Sequence, residues 1–256
     1  REEMVNLFDL LIKNLLSNTI NDITGNTFLD DWESLQVLID GNMTKGNRSK
    51  LEQGIKDFNQ GLIAKLEELQ QQASEILTAF EYNIKISLNF NGIGYNYADK
   101  KDEREITGQT IILRVELSDR PFRQHHIFLN EAKLSAIALS IYLASILLVP
   151  PPNLKLLVLD DVLIGLDMSN RLPVLDILES FFPNHQIILT TYDRNWFEMV
   201  RLRTESADWK CIEFYRGRLK DFEIPVLKDA QDHLDRAREH LKEKDYKACA
   251  VYVRSE

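Results

Sequence analysis

Cysteine is nearly absent: Cys211 and Cys249 are the only two in 256 residues, far apart and without a CxxC partner. That excludes a disulfide framework and a thiolate zinc site, and fits a reducing compartment in which both thiols are buried and unreactive. Histidine is scarce as well. His125 and His126 have no acidic or cysteine neighbour at ligand spacing, and His233 and His240 stand apart on a charged segment, so none supports a metal site. Neither a Gly-x-Ser-x-Gly element nor an HExxH occurs, which removes the serine-hydrolase and zincin readings. Surplus positive charge is missing too: 31 Lys and Arg against 40 Asp and Glu leave a net charge of −9. Whole-chain attraction to nucleic acid or anionic membrane is thereby excluded, whereas a local basic surface is not.

Long apolar runs are also lacking. The longest uncharged stretch, Leu134 to Pro152, carries Ser135, Ser140 and Ser145 and ends in three prolines. A helix of about 15 residues there is short for a bilayer and reads as a core helix. The expectation is a soluble, cytoplasmic protein with no membrane partner. No signal peptide is expected at the opening REEM, and the closing DYKACAVYVRSE has the look of mid-helix, so the chain is expected to be part of a longer polypeptide.

What is present is enough apolar content, 44%, for a real core in one large or two modest domains. Met4, Leu7, Phe8, Leu11, Ile12, Leu15 and Leu16 recur at helical spacing and predict an amphipathic helix within residues 1 to about 23, broken by a polar stretch around Asn21 to Asp31. A second helix is predicted from about Lys50 to Tyr82. Its seam is Leu51, Ile55, Phe58, Leu62, Leu66, Leu69, Ala73, Ile76 and Phe80. The seam fits either a coiled coil or a helix packed on its own domain, and Gly54 and Gly61 weaken a pure coiled-coil reading.

From Ile84 the pattern alternates: NIKISLNFNG, then TIILRVELSD after the charged turn DKKDERE, then HHIFL. These predict a small antiparallel sheet. A helix from Glu131 to about Leu148 follows, then strand LKLLVLD, helix RLPVLDILESFF, strand QIILTTYD, helix RNWFEMVR and strand WKCIEFYR. Strand and helix alternation with near-continuous apolar strands predicts an α/β fold with a mostly parallel sheet and flanking helices, its chemistry at the carboxyl ends of the strands. From Lys228 a helical hairpin turning at Lys244 to Asp245 is expected.

The stretch with most chemistry is LLVLDDVLIGLD, Leu156 to Asp167. An aspartate ending an apolar strand can coordinate Mg²⁺, and the next carboxylate can orient or deprotonate a water for attack on a γ-phosphate. The bland alternative is a turn or helix cap. A matching phosphate loop is missing. GNMTKGNRSK, Gly41 to Lys50, has suitably spaced glycines but places Asn47 and Arg48 where Lys and Ser/Thr belong, and no buried strand precedes it. It reads as a turn, and GIG at Gly92 to Gly94 is a weaker match.

LLVLDDVLIGLDMSNR resembles the Walker B strand and D-loop of the RecF/SMC-like branch of the ABC ATPases. Upstream, FLNEAKLSAIALSIYLAS resembles the signature motif and its helix; downstream, ILTTYDRNWF resembles the switch loop. Order and spacing agree across the three motifs, over roughly Ile84 to Gly217. By this resemblance Asp160 falls on the magnesium aspartate, Asp161 on the catalytic carboxylate and Asp167 on the D-loop acid. Asn130, with Glu131 and Ala132 after it, falls on the signature serine and glycines that meet the γ-phosphate of ATP in an opposing head, and Tyr192 falls on the switch histidine.

The substitutions bear on chemistry. Asn130 can donate a hydrogen bond, or can simply cap the helix. Glu131 would repel a nearby phosphate unless its carboxylate points away. Tyr192 can hydrogen-bond but cannot become cationic near neutral pH, and a packed aromatic is the alternative. Asp161 reaches one methylene less far than the commoner glutamate.

The resemblance implies the C-terminal lobe of a P-loop NTPase head (83–222), preceded by a helical region with the returning arm of a coiled coil (1–82) and followed by an incomplete helical appendage (223–256). It implies ATP and Mg²⁺ as ligands and ATPase activity once an N-terminal lobe carrying Walker A completes the site. A second head in an ATP-bound dimer and DNA are the implied partners, in repair or in defence against foreign DNA. The alternative is a regulatory or scaffolding ATP-binding subunit that hydrolyses weakly and holds an effector such as a nuclease.

Overall fold

Threonines start the two helices that organise the first part of the chain. In the computed structural model, which describes residues 6–42, 44–97, 104–117, 120–122, 131–163, 165–205, 207–219, 222–229 and 233–254, Thr27 accepts from the Asp30 amide at the start of α2 (Phe28–Asp40). Thr44 likewise accepts from the Asn47 amide at the start of α3 (Lys45–Thr78). Each cap satisfies an amide that the first helical turn leaves without a partner. Ahead of them lies α1 (Phe8–Leu10), which widens into a single π turn (Leu11–Leu15). The predicted first helix is therefore shorter than the periodicity suggested, and Met4 lies outside the described residues.

Helix α2 was not anticipated. Its apolar residues Phe28, Trp32, Leu35 and Ile39 follow helical spacing and are all buried, but Asp30 and Asp31 among them read as a polar break. Asp31 is buried because its carboxylate accepts from Asn21 Nδ2 (2.7 Å), Thr24 Oγ1 (2.7 Å) and Asn26 Nδ2 (3.0 Å), which offsets its desolvation. The GNMTKGNRSK stretch is the α2–α3 connection and first turn of α3, with Gly41 as the C-cap of α2.

Helix α3 starts five residues earlier and ends four earlier than predicted, at Lys45 and Thr78. Of its seam, Leu51, Phe58, Leu62, Leu66, Leu69, Ala73, Ile76 and the following Phe80 are buried. The seam packs on the protein's own α2, on strand β1 (Ile84–Phe90) and on α4 (Glu131–Leu148). Phe58 is in ring contact with Phe8, Phe28 and Trp32, with Phe28 edge-on at 6.1 Å. Gly61 lets the Asn21 loop approach: a Cβ there would lie 1.9 Å from Asn21 Oδ1.

Strand β1 pairs antiparallel with β4 (Ile111–Leu117), and β4 with β5 (Arg120–Phe122). A small antiparallel pair, β2 (Gly94–Asn96) and β3 (Glu105–Thr107), lies between them in sequence. The predicted strand HHIFL, at 125–129, is outside the described residues. Helix α4 matches its prediction end to end. It is the one described helix long and apolar enough to cross a membrane by length and composition, and half of it is buried inside the protein. Its Ser140 and Ser145 hydroxyls donate back to the Ala136 and Tyr142 carbonyls, so the serines leave no polar group unmatched in the core.

After the prolines, β6 (Leu156–Asp160) and β7 (Gln186–Thr190) pair in parallel, joined by α5 (Met168–Phe181). Among the described strands this is the sole parallel pair; the other pairings are antiparallel. The expected mostly parallel sheet is thus realised only in part: LLVL and IIL form the parallel pair, whereas the other described strands pair antiparallel.

Residues 1–190 form one compact unit and 191–256 a second. The second contains α6 (Arg194–Arg203), the hairpin of β8 (Ile212–Leu219) and β9 (Phe222–Asp229), and helices α7 (His233–Lys242) and α8 (Tyr246–Arg254). Strand β9 was not predicted. The α7–α8 turn falls where expected: Lys244 takes a left-handed φ of 62° and Asp245 accepts from the Ala248 amide. Both cysteines are half-buried free thiols rather than buried ones, and burial pushes the Cys211 thiol up.

Candidate functional site

Strand β6 buries Leu157 and Leu159 on one face, and its ladder with β7 ends at the Asp160–Thr190 pair. Asp160 is exposed there and its carboxylate accepts the Thr190 hydroxyl. One residue further, the Asp161 amide still donates to the Thr190 carbonyl at 3.2 Å. The chain then turns sharply, with Asp161 at a left-handed φ of 55°. Aspartate is among the few non-glycine residues that adopt this conformation, at about 1–2 kcal/mol.

That turn carries the Asp161 carboxylate inward. Its Oδ1 is buried and has no hydrogen-bond partner among the described residues, which costs about 1–3 kcal/mol unless a ligand completes it. A hard carboxylate oxygen left without a partner among the described residues suits Mg²⁺, which binds through one or two carboxylates together with waters and substrate phosphates. Among the described residues no group of three or more His, Cys, Asp or Glu could hold a metal by itself. The donor set fits a cation arriving with phosphate better than a resident caged metal.

The loop after Asp161 is anchored by buried Leu163 and Leu166. Gly165 lies against α4: a Cβ there would meet Ser135 Oγ at 2.7 Å. Asp167 ends the loop as the N-cap of α5, its Oδ1 accepting from the Asn170 amide (3.0 Å) and the Asn170 side chain (2.6 Å). The buried Arg171 donates through Nε to the Leu166 carbonyl at 2.8 Å. The chain therefore brings Asp160, Asp161 and Asp167 into one continuous strand–loop–helix segment seated on α4.

Glu131 and Ala132 lie in the first turn of that helix, Glu131 exposed and Ala132 buried. Asn130 lies outside the described residues. Tyr192 belongs to the second unit, in the turn before α6 whose cap is Asp193, and is 77% exposed. Sequence reasoning missed Thr190, although it sits inside the quoted TTYD, because its role depends on strand register. It also missed Asn170, three residues past Asp167, where the cap spacing was a usable signal.

The architecture is that of a mixed helix and strand protein with two successive aspartates at the carboxyl end of a parallel strand. No family model matches the chain, and no curated protein does. Among solved structures it is similar to SMC head domains. One is the Smc head with a coiled coil and joint from Pyrococcus yayanosii: 15% identity and a TM-score of 0.49, over 85% of this chain and 36% of that one. Another is the Pyrococcus furiosus Smc head with an extended coiled coil, bound to the C-terminal domain of ScpA: 15% identity and a TM-score of 0.46, over 93% and 52%. A third comes from structural work on ATP-driven dimerization and DNA-stimulated activation of SMC ATPases, at 14% identity and a TM-score of 0.43, over 72% and 95%.

Proposed function

We propose that this chain is the C-terminal part of a RecF/SMC-like ABC ATPase head. On this reading it binds and hydrolyses ATP with Mg²⁺ once a lobe carrying Walker A completes the site, and acts on DNA, in repair or defence, through nucleotide-driven dimerisation of heads. The observation that carries the reading is the Asp160–Asp161 turn: a strained left-handed aspartate whose buried oxygen has no partner among the described residues. Strain and an unsatisfied polar group at one residue are characteristic of a site that a ligand completes.

Asp160 would hold Mg²⁺, which would neutralise charge on the phosphates. Asp161 would orient the attacking water and accept its proton. Asp167, Asn130 and Ala132 would line the nucleotide between heads, and Tyr192 would hydrogen-bond near the γ-phosphate. The functional division we propose is an arm-bearing helical region (1–82), the lobe (83–222) and an appendage (223–256). As the seam of α3 is spent on the protein's own core, a coiled-coil partner would use its other faces.

The need for a completing lobe has support in the sheet itself. Leu156, Val158 and Ile188 are 43%, 48% and 41% exposed on the face opposite Leu157 and Leu159, whereas parallel strands are ordinarily covered on both faces and rarely stand as a pair. The regulatory alternative, weak hydrolysis while holding an effector such as a nuclease, is favoured by one feature. Glu131 is exposed in the first turn of α4, where its charge would oppose an incoming phosphate.

In the complete protein, Asp161→Asn is expected to abolish ATP turnover while ATP binding persists, because the amide keeps the turn and loses the base. Turnover within about twofold of the unaltered protein would remove Asp161 from the catalytic role.

A further inference from the structure

Asp167 is held by a chain of contacts that begins 85 residues earlier in the sequence. The Tyr82 hydroxyl donates to Asn170 Oδ1 at 2.5 Å, and the Asn170 Nδ2 donates to Asp167 Oδ1 at 2.6 Å. Chemistry fixes the direction of the amide: turned over, its oxygen would face the carboxylate and the second bond would be lost. Tyr82 is itself well placed. The chain leaves α3 through buried Phe80 and left-handed Glu81, φ 56°. The Phe80 and Tyr82 rings stack at 6.3 Å, and Lys133 Nζ of α4 lies 5.6 Å from the Tyr82 ring centre. Burial, and then the Asp167 charge, hold the Tyr82 phenol above its ordinary pKa, so it stays a proton donor throughout the neutral range.

The loop from Asp161 to Asp167 is therefore gripped twice, by Ser135 of α4 against Gly165 and by the end of α3 through Tyr82 and Asn170. We propose that Tyr82 is a positioning residue: acting through Asn170, it sets the direction of the Asp167 carboxylate and couples the end of the long helix α3 to the loop that follows the Asp160–Asp161 pair. This inference rests on the ATPase reading above. Any displacement of the α3 end relative to α5 is transmitted to Asp167 through two short hydrogen bonds, so the state of the helical region is felt at the site.

Tyr82→Phe removes the hydroxyl alone. In the complete protein it should lower kcat about 3- to 10-fold with KM for ATP changed less than about twofold. Combined with Asp167→Asn it should cost no more than Asp167→Asn by itself, since Tyr82 acts only through Asp167. An unchanged kcat in Tyr82→Phe, or effects that multiply in the double variant, would overturn the proposal. A second readout does not need turnover. In the ¹³C-tyrosine NMR spectrum the signal lost in Tyr82→Phe should titrate above an ordinary tyrosine, and Asp167→Asn should bring its midpoint down. No such movement would also overturn the coupling. Movement without any ATP turnover in the unaltered protein would instead overturn the ATPase reading.

Discussion

At Asp161 two costs coincide, a left-handed backbone and a buried carboxylate oxygen without a partner among the described residues. Neither helps the fold, and together they amount to a few kcal/mol. Asp161→Gly should relieve both, offset in part by the extra freedom glycine gives the unfolded chain, and raise stability by about 1 kcal/mol in urea denaturation. A loss of stability would show that the turn is supported by contacts of the aspartate side chain. At this scale the sequence was informative about identity and silent about geometry. The DD pair and the LD element named Asp160, Asp161 and Asp167, but the strain and the missing partner arise from where the strand ends relative to Thr190, which no local pattern encodes. Tyr82 was invisible for the same reason: its acceptor is 88 residues away.

Among the elements, α3 shows how a seam is used. Eight of its nine predicted seam residues are buried, Ile55 being half-buried, and the glycines that weakened the coiled-coil reading turn out to be sites of close approach. Gly54 faces Leu35 and Gly61 faces Asn21. Gly61→Ala would drive a methyl group into the buried Asn21–Asp31 knot and should destabilise the chain by about 1–3 kcal/mol in urea denaturation. A change below about 0.5 kcal/mol would mean that the Asn21 loop yields freely. Helices α3, α5 and α6 were legible from their apolar spacing and begin at side-chain caps, Thr44, Asp167 and Asp193, and α4 from its long apolar run between charged and proline-rich flanks. Helix α2 was not, since two aspartates at its start hid a pattern that only tertiary hydrogen bonds to Asp31 make tolerable. Strand β9 was missed although Phe222, Ile224 and Val226 alternate, because Pro225 inside the run argues against a strand until the pairing with β8 is seen.

Over the whole molecule, one strand–loop–helix segment supplies carboxylates while no stretch of the sequence matches GxxxxGK[ST]. Residues 1–190 hold Asp160, Asp161 and Asp167 in one unit, and the β6–β7 pair leaves Leu156, Val158 and Ile188 open on one face. These features agree with a hydrolytic half-site that depends on another lobe for its affinity, since backbone amides and a lysine around the phosphates supply most of the binding in P-loop enzymes. The antiparallel pairing of β1 with β4 was legible in the alternating runs, whereas that of β8 with β9 was not, because direction is set by connections and not by composition. The half-site claim is tested most directly by calorimetry, titrating ATP with Mg²⁺ into residues 1–256 alone and into the complete protein. The expected result is no saturable heat from residues 1–256 up to about 1 mM nucleotide, with binding restored in the complete protein. Micromolar affinity in residues 1–256 alone would contradict it.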